Sequence, residues 1–421
     1  MSLPSTSRSA SIDVFRGMTI LLMIFVNDLA GVAGIPSWLK HMPADVDGMS
    51  LADVVFPAFL FIVGLSLPLA LKQRQQSGAG RSLLMSHQIR RSVSLIIIGV
   101  MMVNAEDGFT QSAMPISIHL WSALMLLAVV LVWHIRFKNI PRFSRVLSSI
   151  GVLLLLSFAL VYRSGENGLS GLQPQWWGIL GLIGWSSLFA GMVVIFFGAS
   201  LPLVLFSNVI CLAGFVGLQP DYLSSFSSFS SAFSLSSLSN DRVLHFLSDQ
   251  ANQFTHVMLV MAGAGVSQLL FSSQASSPAT SQATSQAAQR QRAGLLAVWC
   301  IAAFLIAMGL HLVFPISKIH ATPSWAWFSI AICSSVMLLL YVAIDVLQWR
   351  SWYQFLMPAA QNSLFIYLLP FFIYSVSEYF QLVLVPVLRQ GALGMLWSIF
   401  YVALMIAMIK LFNRLGLRLK L

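Results

Sequence analysis

Apolar runs long enough to cross a bilayer recur from end to end of this 421-residue chain. Each is about 17 to 25 residues long, the length a helix needs to span roughly 30 Å of hydrocarbon at 1.5 Å per residue. Inside lipid every backbone N–H and C=O must find a partner, which only helices and closed barrels provide. Barrel strands alternate apolar and polar residues over about ten positions, whereas these runs are longer and continuous. With 58% hydrophobic and only 9% charged residues, a soluble fold would lack the polar surface to stay in water. The sequence therefore predicts an all-α, polytopic integral membrane protein, read as a single helical domain over residues 1–421.

About twelve spans are expected, within a range of ten to twelve, at 14–33, 51–71, 92–109, 117–135, 146–162, 177–198, 200–217, 253–272, 294–314, 324–346, 356–380 and 391–412. The net charge of +10 does not point to nucleic acid, because the basic residues sit in short connections, where they report topology. With the N-terminus inside and twelve crossings, 18 of the 23 Lys and Arg face the cytoplasm. Lys40, Arg163, Arg242, Lys318 and Arg389 face outward, a bias that predicts both termini inside. The first run follows Arg8 and Arg16 as a signal peptide would, but Asp13 crowds its start and it outruns a signal core, so it reads as the first helix. Two low-complexity stretches, 223–240 and 272–292, read as flexible loops. Cys211, Cys300 and Cys333 lie in apolar segments without ligand spacing, so no metal site is expected.

Chemistry concentrates in the signature region 11–70. Charges cost several kcal/mol at membrane depth and so face a cavity or a partner. That makes Asp13, Arg16, Asn27, Asp28, His41 and Asp53 the candidate cluster. On a helix of 3.6 residues per turn, Asp13, Arg16 and Asn27 share one face, and Arg16 lies about 16 Å along the axis from Asn27. Such a stripe suits a ligand that enters at one side of the membrane and reacts near the other. The plainer alternative is an i,i+3 pair with Arg16 marking the cytoplasmic border. His41 sits in an outer loop, where an imidazole can serve as a general base, with Asp45, Asp47 and Asp53 near enough in sequence to orient it. A solitary loop histidine can equally be a solvated bystander. His256 and Glu378 read as outer-interface residues, and Asn362 as a bond across helices or a lining of a cofactor tunnel.

The pieces SIDVFRG, FVND, LKH and LADVVFPAFLFIVG, in that order, resemble the transmembrane acetyltransferase family of the lysosomal heparan-α-glucosaminide N-acetyltransferase and its bacterial relatives. The resemblance is dense over about 11–70. It continues more thinly in IIIGVMMVNAE around Asn104, WWGILGLIGW at 176–185 and MPAAQNSLFIY at 357–367. It implies transfer from cytoplasmic acetyl-CoA to an amine or hydroxyl of an extracytoplasmic sugar or glycan. It implies His41 as base or transient acetyl acceptor, assisted by Asp53, and Asn27 as the group that holds the thioester carbonyl or the histidine. Asp13, Arg16, Asn104, His119 and Asn362 become the expected cofactor contacts, and Arg90 and Arg91 further phosphate candidates. As a bacterial relative the chain is expected in the inner (plasma) membrane, with the lipid bilayer and a glycan acceptor as partners, a homodimer left open and no nucleic acid.

The chain departs from the family pattern in three places. DLAGVAG stands where a glycine run follows the asparagine. MPISIHLWSAL, with His119 and Trp121, stands where a proline-glycine-hydrophobic-Gln-Arg segment opens the fourth helix, and NSLFIYLLPFF lacks a Gly-His pair. The other class of function that the residues allow is a secondary transporter, which Pro57, Pro68, Pro370 and intramembrane charges would also suit. A carrier places its critical groups near the midplane, whereas a transferase needs one at the outer mouth.

Overall fold

The computed structural model describes residues 10–134, 141–219, 250–271 and 282–419, together with Ser248. Among these residues there is no strand, only four isolated bridges, and thirteen α-helices carry the fold. They are α1 (Ala10–Leu29), α2 (Leu51–Gln76), α3 (Arg81–Glu106), α4 (Ile118–Trp133), α5 (Pro141–Val161), α6 (Gly178–Phe197) and α7 (Leu201–Leu218). There follow α8 (Asn252–Phe271), α9 (Gln282–His311), α10 (Pro323–Leu340), α11 (Met357–Gln361), α12 (Ser363–Tyr379) and α13 (Gly391–Arg414).

All twelve apolar runs fall on helices, but fewer than twelve are full-length spans. Among the described residues ten helices are long and apolar enough to cross a membrane, and an eleventh span results if the helical stretch Gln354–Gln361, which contains α11, and α12, which meet at 83°, count as one. The remaining run, the fourth, forms α4, which has 16 residues and rises only about 24 Å. The expected loop at 223–240 lies outside the described residues. Of the loop expected at 272–292, residues 272–281 lie outside them, and from Gln282 onward the chain is already helix α9.

The helices pack as two compact units. The first comprises residues up to 15, 41–89 and 185–349; the second comprises 16–40, 90–184 and 350–421. In the first unit α8 is the central element, buried from Thr255 to Ser267 on every face, as a helix apolar all round should be. It packs along α2, where a Cβ at Gly64 would collide with the Val260 carbonyl and one at Gly263 with the Phe61 carbonyl. Small residues let two helix backbones approach this closely. α2, α8 and α10 all begin at one end of this unit, where His256 packs edge-on against Phe56 and Trp325.

In the second unit α1, α3 and α12 end, and α4 and α13 begin, at a common end. Asp28 near the end of α1 accepts hydrogen bonds from Tyr374 (2.9 Å) and from Ser398 of α13 (2.6 Å), and pairs with Arg389 at 3.3 Å. Glu106 at the end of α3 and His119 at the start of α4 line one cavity with Tyr374.

Candidate active site

The local fold around His41 follows from how α2 begins. Ser50, Leu51, Ala52 and Asp53 read S-x-x-D, a capping-box pattern that closes the first turn of a helix. Asp53 sits at the third helical position and its Oδ2 accepts from the Ser50 N–H (3.0 Å) and the Ser50 hydroxyl (2.9 Å). The same oxygen accepts from the Met42 N–H at 3.1 Å, which draws the preceding loop over the helix start. The other oxygen, Oδ1, lies 2.8 Å from His41 Nδ1. A carboxylate only accepts, so Nδ1 is the protonated nitrogen of this pair.

The two partners differ sharply in exposure: the Asp53 side chain is 1% exposed and that of His41 43%. A desolvated, fully hydrogen-bonded carboxylate thus orients an imidazole that still opens to solvent. Such an arrangement fixes the tautomer and leaves Nε2 as the basic nitrogen. Trp325 Nε1 donates to the Asp53 backbone carbonyl at 3.2 Å and ties the start of α10 to the same turn.

A second loop, residues 312–322 between α9 and α10, closes over the first. Asp47 accepts from the Ile316 N–H at 2.7 Å and pairs with His311 at 2.9 Å, while the Gly48 N–H donates to the Ile316 carbonyl at 3.0 Å. The backbone bond to Ile316, then that to His311, holds the Asp47 carboxyl below its ordinary range. This clasp delivers Lys318, whose Nζ lies 3.1 Å from His41 Nδ1 and 3.4 Å from Nε2. Burial pulls the Lys318 ammonium below the usual lysine range, and the Asp53 charge partly restores it.

The structure therefore joins His41 and Asp53, and adds Lys318 and Trp325, which the sequence did not single out. Lys318 shows there only as one of five outward basic residues, 277 positions from His41. Most of the other expected site residues belong to the second unit. Asn27, in the second unit, is exposed, while its neighbour Asp28 is buried and saturated. Asp13 and Arg16 are partly buried and fall in different units. His256 is not an interface residue but a core one, 3% exposed.

Two of the expected cofactor contacts have both amide hydrogens engaged within the protein. Asn104 donates to the carbonyls of Val100 and Gln173 (2.8 and 2.7 Å) and accepts from the Gln173 N–H. Its amide pins the 173–175 segment to α3. Asn362, 1% exposed at the break between α11 and α12, donates to Asn413 and the Leu417 carbonyl and accepts from the Leu419 N–H. Trp121 is likewise buried, its Nε1 donating to the Phe158 carbonyl. His119 remains beside open space, a cavity of about 170 Å³ in the second unit that it lines with Glu106, Ser122, Tyr374, Ser375 and Glu378. Asn362 precedes the first turn of α12, whereas the cavity is lined by Phe371, Tyr374, Ser375 and Glu378 of the same helix, about 14 to 24 Å farther along its axis.

The family described as a domain of unknown function, DUF5009, matches residues 8–201. The heparan-alpha-glucosaminide N-acetyltransferase of Mus musculus is 38% identical over 107 residues, which is 24% of this chain and 15% of the mouse protein. That of Homo sapiens is 40% identical over 98 residues, 23% of this chain and 14% of the human protein. The match thus spans about a seventh of the length of these relatives.

Proposed function

We propose, taking as premise the similarity of this chain to heparan-alpha-glucosaminide N-acetyltransferases, that it is a transmembrane acetyltransferase. In this reading it moves an acetyl group from cytoplasmic acetyl-CoA to an amine or hydroxyl of an extracytoplasmic sugar. The observation that carries the reading is the pair His41–Asp53: an imidazole open to solvent whose Nδ1 is held at 2.8 Å by a desolvated carboxylate.

His41 Nε2 takes the proton from the acceptor amine or hydroxyl as its nitrogen or oxygen attacks the thioester carbonyl. The new C–N or C–O bond forms, the C–S bond breaks, and the proton passes from Nε2 to the departing thiolate. Asp53 keeps the hydrogen on Nδ1 and balances the imidazolium while it exists. A base so placed contributes about 10²- to 10⁴-fold. The resemblance gives Asn27 the thioester carbonyl or the histidine, and at the carbonyl one well-aimed amide donor is worth roughly 3 to 4 kcal/mol.

The test uses labelled acetyl-CoA, the full-length protein in nanodiscs and a panel of amino sugars. Wild type transfers label, and His41→Ala remains folded and transfers none; wild-type turnover in that variant removes His41 from the mechanism. The 83° break at Asn362 is the feature that favours a carrier. Protein-dependent solute flux without acetyl transfer or acetyl-CoA hydrolysis decides for that reading.

A further inference from the structure

We infer that Lys318 is the positioning residue that keeps His41 a neutral base, its ammonium opposing the charge that Asp53 would otherwise draw onto the ring. The purpose of this arrangement rests on the acetyl-transfer reading; its existence can be tested without it.

The geometry carries the inference. Nζ lies at nearly equal distances from both ring nitrogens, 3.1 Å from Nδ1 and 3.4 Å from Nε2. These nitrogens flank one carbon, so an atom this near to both stands over the ring and not on the axis of either lone pair. An ammonium has three donors and no acceptor, so it cannot take the Nδ1 hydrogen that Asp53 holds. Its effect on the ring is therefore chiefly that of a charge. Among the described residues Lys318 forms no ion pair with a carboxylate, and its side-chain polar contacts are the two with His41.

Charge counting gives the direction. Among the described residues, the charged groups in hydrogen-bonding contact with the His41 ring are Asp53 from α2 and Lys318 from the 312–322 loop. On its own loop, Asp45 is exposed and Asp47 is turned to His311 and Ile316. With a neutral imidazole the trio of Asp53, His41 and Lys318 sums to zero; with an imidazolium it carries +1 in a partly buried place. Asp53 alone would favour the imidazolium, a form that has no lone pair with which to accept a proton. The lysine cancels that bias while leaving the tautomer in place.

The clasp between the loops makes the position a built one. Asp47 fixes Ile316, and the Ser317 N–H bonds the Thr322 hydroxyl (3.1 Å) while the Thr322 N–H returns to the Ser317 carbonyl (3.1 Å). Lys318 rides on that closed turn, and Ala321, at φ 44, completes it in the left-handed region that L residues seldom enter.

The experiment is ¹⁵N-histidine NMR on full-length protein in nanodiscs, with His41 assigned through His41→Gln. At one mildly acidic pH, Lys318→Met and Lys318→Gln should raise the imidazolium-to-imidazole ratio of His41 at least about tenfold, the effect a unit charge has at this range even in bulk water. Lys318→Arg should stay near wild type. The acid limb of the acetyl-transfer profile should move up by at least about one pH unit in the two neutral variants. An unchanged ratio in folded Met and Gln variants overturns the inference, as does an equal rise in the Arg variant. If the ratio moves as expected while wild type transfers no acetyl group, the positioning role holds and the acetyl-transfer reading falls.

Discussion

Replacing Asp53 by Asn separates what this residue does for the fold from what it does for the imidazole. Oδ2 receives three donors, the Met42 N–H, the Ser50 N–H and the Ser50 hydroxyl. In Asp53→Asn the amide oxygen is drawn to that position, which leaves the NH₂ group facing His41 Nδ1. Nδ1 must then accept, the ring hydrogen moves to Nε2, and the basic nitrogen is lost. Trapping a catalytic histidine in the wrong tautomer costs about 10⁴-fold in serine proteases, and a general base is worth about 10² to 10⁴. We therefore expect a 10²- to 10⁴-fold loss of kcat. The loss of stability should be only about 1 to 2 kcal/mol, because the three donors keep an acceptor. Asp53→Ala differs: it strands two backbone N–H groups where the side chain was 1% exposed, at about 1 to 3 kcal/mol each. Turnover of labelled acetyl-CoA, thermal unfolding in nanodiscs and the ¹⁵N tautomer signature of His41 read the three quantities apart. Wild-type turnover in Asp53→Asn with the hydrogen on Nε2 would refute the assignment of that nitrogen as the base.

The loop clasp has its own pH signature. Asp47, lowered from the ordinary 3.8 by its bonds to Ile316 and His311, stabilises the clasp fully above that value and ceases to as the pH falls through its depressed folded value. Hydrogen exchange of residues 312–322 should accelerate in that acid window in wild type and show no such step in Asp47→Asn; identical profiles dismiss the carboxylate as the fastener. At the helix break, Asn362→Ala should destabilise the protein by about 1 to 3 kcal/mol through the stranded Leu419 N–H and Leu417 carbonyl. The KM for acetyl-CoA should stay unchanged, and a rise beyond the effect on stability would return Asn362 to the cofactor.

The helices were legible because burial in lipid leaves a one-dimensional trace: every one of the twelve apolar runs is helical. What length alone could not show is that α4 stops at 16 residues and that the eleventh run breaks at Asn362. At the site, spacing put Asp45, Asp47 and Asp53 all near enough to orient His41, and Asp53 was the one expected in the catalytic group. The structure distinguishes them by backbone position. Asp53 is the capping carboxylate of α2, Asp47 is claimed by His311 from 264 residues away, and Asp45 stays exposed. The S-x-x-D pattern before the apolar run was the signal that could have chosen among them. No local signal marks Lys318, because its partner lies 277 residues distant and the loops meet only through tertiary packing. Asn104 and Asn362, expected as cofactor contacts, both have their amides engaged within the protein, and for Asn362 a bond across helices was the other reading the sequence allowed. A polar side chain in an apolar helix must be satisfied by something, and here backbone groups at irregular segments take the place that a ligand was expected to fill.

The start of α2 couples folding to chemistry in a way that limits what evolution or design can alter there. Amides at a helix N-terminus lack intrahelical partners and carry partial positive charge, so a carboxylate at the third position is stabilised before any histidine is present. One oxygen of Asp53 answers that demand and the other is left for His41. The orientation of the imidazole is therefore inherited from the same bonds that begin the helix, and needs no separate scaffold. A glutamate at this position could still cap the helix, since Glu serves the third position well. Its extra methylene, however, would displace the outer oxygen from the 2.8 Å contact with Nδ1. Asp53→Glu should therefore preserve the thermal midpoint while uncoupling His41, whereas a substitution that serves only the fold could not make that separation.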